Sequence, residues 1–374
     1  MSRLPILLVF LVVVIPIRAA TRVTVAQLEQ FLASKQTSKE SDVEIAERLG
    51  SVELTEQLTV PTFLRIESEA NLGPGTLQQL RLMAASSIFC APPTAELPTR
   101  AAPDQVSQQR MMNSATEYVE GFLQRLPDFV AIRTTDSFEN TPQRTGSKHG
   151  KPNAEFHLIR ESRRQIAYRN GKEIVNSASG DSGNGQSESD SALAGLTTRG
   201  EFGPVLKTVL GDSVKGSVVW SRWQIGEAGT LVAVLRYDVP KPSSRYLVDF
   251  CCYQKSQDDP QSFRFFDTPG YHGELYLDPA TGAVDAITLE AQLSEDDPVM
   301  VSGLAVQYGR VDIGGKSYIR PVRGVAVSEI HGPVMEPADK VAPERFINEV
   351  RFSDYHKFSS TVRMLPAGPE VNRQ

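Results

Sequence analysis

Three cysteines in 374 residues, Cys90, Cys251 and Cys252, are too few for a fold held together by disulfides. None stands in a CxxC pair, so a thioredoxin-type or zinc-ribbon reading has no basis. The odd count leaves at least one thiol outside any intramolecular bond. Neighbouring Cys251 and Cys252 are expected not to join each other, because the small ring is strained relative to ordinary disulfide geometry. A link from Cys90 to either one stands as an alternative to three small buried apolar side chains. No GxSxG elbow and no HExxH pair occurs, and His149, His157, His272, His331 and His356 are isolated from one another. No catalytic residue, metal ligand or cofactor is therefore assigned. Basic residues are outnumbered, 39 Lys and Arg against 45 Asp and Glu, and the net charge of -6 argues against nucleic acid as a partner, since phosphate binding needs a concentrated basic surface. The densest basic group, Arg160, Arg163, Arg164 and Arg169, reads as the solvated face of a β-hairpin. The acids of "SEDDP" (Ser294 to Pro298) read as a solvated loop rather than a cation site.

Long apolar runs are missing with one exception. Leu4 to Ile17, preceded by Arg3 and followed by Ala19 and Ala20, has the layout of a cleaved secretory signal. It is short for a membrane span, which needs about 20 apolar residues. The expectation is a signal peptide over 1–19 and a secreted or periplasmic protein that is not integral to the membrane once cleaved.

From 20 to 91 the apolar period is helical. "TVAQ" (Thr24 to Gln27), "SDVE" (Ser41 to Glu44) and "TLQQ" (Thr76 to Gln79) each match a capping box, in which the hydroxyl and the acid or amide satisfy opposite backbone N–H groups. Stripes of Leu28, Phe31 and Leu32, of Val43, Ala46 and Leu49, and of Leu77, Leu80 and Ala84 follow. The spacing predicts four or five short helices that must pack together to persist. A proline-rich linker spans 92–103. Asp104 then caps a longer helix carrying Val119, Phe122 and Leu126.

Beyond Pro127 the period falls from about 3.6 to 2, the mark of strands with one apolar face. Val130, Ile132, Thr134 and Phe138 share a face, as do Leu231, Ala233, Leu235, Tyr237 and Val239. Leu304, Val306 and Tyr308 repeat the pattern, as do Phe346, Val350 and Phe352. "DPATG" (Asp278 to Gly282), "RNGK" (Arg169 to Lys172) and "GGK" (Gly314 to Lys316) are hairpin turns, with Gly282 and Gly315 expected at positive φ. One helix interrupts, near "TTRGEFGPVLKTVL", where Thr198 and Glu201 match a further capping box. A polar stretch over 177–195 reads as a mobile loop and 366–374 as a flexible tail. The fold class is α+β: an N-terminal helical region, then over 104–365 a large curved antiparallel sheet, half-barrel-like, packed on a helix. Twist accumulated over about ten or eleven strands curls such a sheet and leaves a concave face to be filled.

"GELYLDPATGAVDAITLEAQL", "AVQYGRVDIGGKSYIRPVRGVAVSEI" and "NEVRFSDYHKFSS" resemble the tail of a group of uncharacterised exported proteins, chiefly from acidobacteria. "LPDFVAIRTTDSFE" and "TRGEFGPVLKTVL" have counterparts there too. More distantly, the run V-x-Y-x-x-V-x-I-G-G-x-x-Y is similar to the half-barrels of periplasmic lipoprotein carriers and of the RseB/MucB stress sensors. Such a fold implies an acyl chain or an acylated protein held against the concave sheet face. The extra helical region and the long polar loop depart from a simple carrier.

The resulting reading is an exported, non-enzymatic protein binding a lipid, an acylated ligand or an envelope partner. Its candidate ligand-binding residues are Trp223, Leu235, Tyr237, Leu289 and Tyr308, an apolar lining of the type pockets use. Trp220 and Trp223 are placed on opposite faces of one strand. The alternatives are a structural or interaction module whose sheet is plugged by its own helix, with Val119, Phe122 and Leu126 pressed into it, and an unrecognised hydrolase.

Overall fold

A computed structural model of the chain describes residues 21–36, 40–124, 127–140, 156–169, 172–175, 195–196, 200–226, 229–256, 259–331 and 343–357. The expected signal peptide, most of the polar loop, the RNGK turn residues Asn170 and Gly171, Thr198 of the last capping box and the C-terminal tail lie outside the described residues.

The N-terminal region holds four helices, α1 (Val25–Gln36), α2 (Asp42–Gly50), α3 (Val60–Glu69) and α4 (Pro74–Ser86). It is not wholly helical: β1 (Thr21–Val23) and β2 (Val52–Leu54) form a parallel pair. Thr24 and Gln27 close their capping box reciprocally, at 3.2 and 2.9 Å, and Ser41 with Glu44 does the same at α2. The third expected box is absent. Pro74 takes the first position of α4, where its fixed φ starts the helix three residues early and carries Thr76 inside. Asp42 of α2 instead accepts from the freed N–H groups of Gly75 and Thr76, at 2.8 and 2.9 Å, so one carboxylate caps a neighbouring helix. Val43, expected on the buried stripe, is 62% exposed.

The sheet is antiparallel and ten-stranded, in the order β5-β4-β3-β14-β13-β12-β11-β10-β7-β6. Its strands are β3 (Phe129–Asn140), β4 (His157–Arg169), β5 (Lys172–Val175), β6 (Ser217–Ile225), β7 (Leu231–Val239), β10 (Tyr271–Leu277), β11 (Val284–Ala291), β12 (Val299–Asp312), β13 (Ser317–Ile330) and β14 (Glu344–Lys357). The edge strands β5 and β6 do not pair, so the curved sheet stays open. The protein is α+β, as its periodicity implied. A separate hairpin, β8 (Val248–Ser256) with β9 (Asp259–Asp267), stands apart from the main sheet. On β8, where a bulge takes Cys252 out of register, Cys251 and Cys252 are bonded to each other and exposed, against expectation. Cys90 is a free thiol.

Both faces of the sheet are covered. On the first face α5 (Gln105–Gln124) and α6 (Pro204–Ser213) press Ala115, Val119, Leu206, Val209 and Leu210 against Leu235, Leu275, Ile287, Leu289 and Val306. Two helices close this face where one was expected. The side chains of Phe122 and Leu126 lie outside the described residues. On the second face α4 and the turn after it bring Leu82, Ala85 and Ile88 onto Phe138, Ala305, Val325 and Ile347. The helical region is therefore packed on the sheet rather than tethered to it.

Two face assignments change. On β3 the more buried side carries Phe129, Ala131, Arg133, Thr135 and Ser137, because Arg133 meets Glu201 in a buried ion pair at 3.6 Å that the alternation of Val130 and Ile132 does not reveal. Glu201 is thus part of the core, and α6 begins at Pro204 with Gly203 as its N-cap. On β6 a bulge between Trp220 and Arg222 turns Trp220 and Trp223 to the same face, their rings 4.9 Å apart edge to face. Arg222 goes to the other face.

Candidate functional site

The ladder is broken between β13 and β14, beyond Arg323 with Arg351, and between β11 and β12. Pairing between β11 and β12 ends at Ala286 with Gln307, yet β12 runs on to Asp312, paired with β13 alone. Bulges at Tyr276/Leu277 and at Gln307/Tyr308 flank the parting. A β-bulge bends its strand and breaks the local ladder, and here the extra residues are Asp285 in β11 and Val322 in β13. A cavity of about 820 Å³ occupies this position. Its wall takes Tyr276, Ala286, Thr288 and Gln307 from the second face, and Tyr118, Ile287, Tyr308 and Ile319 from the first. Residues of both faces line one space, together with the ends of the β6–β7 and β10–β11 hairpins. Gln57, Thr59, Val60, Pro61 and Ile88 of the helical region roof it on the second side.

The lining mixes apolar side chains with uncharged polar groups. Thr59 is buried and caps α3 by accepting from the Thr62 N–H, while its own hydroxyl donates to Glu96 at 2.6 Å. On the floor, Tyr276 donates to Glu274 at 2.9 Å, and Arg222 makes a two-pronged contact with the same carboxylate at 2.5 and 2.7 Å. Burial, then the Glu274 charge, pushes the Tyr276 hydroxyl far above its ordinary value, so it stays protonated. Tyr308, also buried, donates to the Glu201 carbonyl at 3.3 Å, and its hydroxyl is raised by burial first. Charge enters from the β10–β11 turn. Asp278 accepts from the N–H groups of Ala280 and Thr281, at 2.8 and 3.0 Å, the expected turn around Gly282. Asp285 is half-buried, and burial, then Asp278, holds its carboxyl above the usual aspartate range.

Of the five residues chosen from the sequence, the cavity includes Tyr308. Leu235, Tyr237 and Leu289 sit in the core beneath α5 and α6, at most 1% exposed, and Tyr237 donates to the Thr288 carbonyl at 2.6 Å. Trp223 lies on β6, where its indole N–H donates to the Ala101 carbonyl at 2.8 Å and Arg100 stacks over its ring at 4.4 Å. The proline-rich connector is thereby pinned to the sheet. Tyr118, Tyr276 and the two aspartates were missed. Only the DPATG turn hinted at them, since a cavity made by diverging strands has no sequence period.

Among the described residues no histidine hydrogen-bonds a serine, threonine or cysteine; His272 approaches Glu290 at 3.7 Å and His331 meets the Glu295 carbonyl at 3.1 Å. Burial pushes the Cys90 thiol up, away from the thiolate form a nucleophile needs. No group of three or more His, Cys, Asp or Glu is placed to hold a metal ion among the described residues. Asp297 accepts from the Ser294 N–H at 2.9 Å, which makes the SEDDP acids a self-capped turn. No helix of the described residues is long and apolar enough to cross a membrane.

No family model matches the chain, and no curated protein matches it. Among solved structures it is similar to a DUF1329 family protein from Desulfovibrio piger, at 9% identity and a TM-score of 0.27, over 69% of this chain and 95% of that one. At that TM-score the likeness carries no argument about fold or activity. It does not support the acidobacterial or the RseB/MucB-like resemblance.

Proposed function

We propose that the protein is a non-enzymatic binding protein, exported through the segment before residue 20, whose ligand is a small amphiphile such as a lipid or an acylated molecule. The ligand occupies the cavity at the parted strands and not the sheet face beneath α5 and α6, which those helices fill. The observation behind this is the cavity itself: its volume falls within the range of about 300–1,000 Å³ usual for small-molecule sites. Its wall pairs Val232, Ile287 and Ile319 with hydroxyls and amides, as a molecule with both an apolar body and a polar end requires.

The test is native mass spectrometry of protein purified without denaturation, alongside Ala286→Trp, which places a large ring in the cavity wall. A bound small mass present in the parent and missing from the variant supports the reading. A clean protein mass, together with no thermal shift from fatty acids, lysophospholipids or acylated peptides, refutes it. The second reading, a module whose sheet is closed by its own helices, draws on the cover that α5 and α6 give the first face. On that reading an envelope protein partner binds the outside of the molecule, and Ala286→Trp leaves its binding unchanged.

A further inference from the structure

The charges around the cavity are unbalanced in one direction. Asp285 makes no hydrogen bond or ion pair among the described residues, although it is half-buried and its neighbour across the turn is a second carboxylate. Burial and Asp278 both oppose its charge, and no cation offsets them. The groups facing this end are Tyr118 of α5, Asp278 and Asp285 of the β10–β11 hairpin, Arg310 of β12 and Tyr318 of β13. Arg310 is exposed at the rim and bridges to neither aspartate. The nearby Arg320 is fully buried behind them, its guanidinium over the Phe129 and Tyr318 rings and donating to the Ile319 carbonyl at 2.6 Å. Neither arginine pairs with Asp285. At the roof, the buried side-chain oxygen of Gln57 accepts no hydrogen bond among the described residues.

A half-buried carboxylate that lacks a donor thus lies in the cavity wall beside tyrosine rings. We infer that the ligand carries a positively charged nitrogen, a protonated amine or a quaternary ammonium, seated at Asp285 with its apolar body along Ile287 and Ile319. This inference rests on the amphiphile reading above and names the polar end of that ligand. An ammonium suits carboxylates and aromatic faces together, since ring quadrupoles attract cations. A bare calcium or magnesium ion does not, because it asks for six or more oxygen ligands and two carboxylates supply too few.

The experiment is isothermal titration of the full chain with three twelve-carbon probes, dodecylamine, dodecanol and dodecanoate, below their aggregation limits. It is repeated on Asp285→Asn and on Asp285→Glu, which restores the charge. Expected are tighter binding of dodecylamine than of dodecanol by roughly fivefold or more, with dodecanoate weakest. Asp285→Asn should remove the preference for the amine and leave dodecanol unchanged, and Asp285→Glu should keep part of it. Equal binding of all three probes, or a preference that survives in Asp285→Asn, overturns the cation inference while leaving the amphiphile reading intact. Binding of none of them overturns both, and calcium titrating Asp285 in their place would assign the carboxylates to a metal instead.

Discussion

Gly282 offers a sharp test of how α5 sits on the sheet. It lies in the turn from Asp278 at φ 72, its N–H donating to the Asp278 carbonyl at 2.9 Å. A Cβ added there would stand 2.5 Å from the Ser114 carbonyl carbon and 2.8 Å from the Ala115 nitrogen, both backbone atoms of α5. Gly315, in the β12–β13 turn, has nearly the same φ of 79 and nothing within 4 Å of its Cβ position. The two glycines thus share a conformational cost and differ in one contact. Placing alanine in the left-handed region costs about 1–2 kcal/mol, partly offset by the stiffer unfolded chain, so Gly315→Ala should lose about 1 kcal/mol. Gly282→Ala carries the same cost plus about 1–3 kcal/mol for forcing a methyl into packed backbone, for a total of about 2–4 kcal/mol. Urea unfolding followed by circular dichroism measures both, the difference appearing in the midpoint at an unchanged slope. Equal losses for the two variants would show that α5 does not rest on this turn, and with it would fall the placement of Tyr118 in the cavity wall.

Leu235 is 1% exposed in the first-face core, so Leu235→Asp puts an unpaired charge where water does not reach, at a cost of several kcal/mol, and should yield no folded protein. A folded Leu235→Asp with a native circular dichroism spectrum would mean that this face is open. The Asp285 carboxyl sits above its unfolded value of 3.8, so it takes up its proton more readily folded than unfolded. Its contribution to stability therefore declines as pH rises from the unfolded value through the folded one, and it is unfavourable near neutrality. Asp285→Asn should melt higher than the parent at about pH 7 and no higher at about pH 3. A melting difference that is the same at both would contradict the placement of Asp285.

The parts of the fold that follow from local rules were legible in the sequence. Alternation along 231–239 and 304–308 marked the buried faces of β7 and β12, and the hydroxyl-to-acid spacing at Ser41 marked the start of α2. The features that escaped depend on a single residue out of period or on distant partners. A bulge at Ser221 brings Trp220 round to the face of Trp223, which no alternation count registers. Alternation along β3 gives no sign that Arg133 is buried, because the Glu201 it pairs with comes from across the sheet. The candidate site failed to appear for a related reason. Alternation reports which residues are buried, and the most regular strands, which supplied Leu235, Tyr237 and Leu289, are the ones packed without a gap. A cavity forms where regularity breaks, at Tyr276 and Tyr308.

The position of β14 in the strand order bears on the order of events during synthesis. This strand, near the C-terminal end, lies between β3 and β13, and its Arg351 contacts Asp136 across 215 residues. Without it, β3 to β5 and β6 to β13 are two separate sheets with raw inner edges. The two sets cannot be joined until β14, the last of the described strands in chain order, has been made. Until then the chain must travel with two long rows of unpaired backbone groups, which other chains could extend. Loss of β14 would leave these two sets of strands with no backbone ladder between them, held together by the packing of α4 on Phe138, Ala305 and Val325.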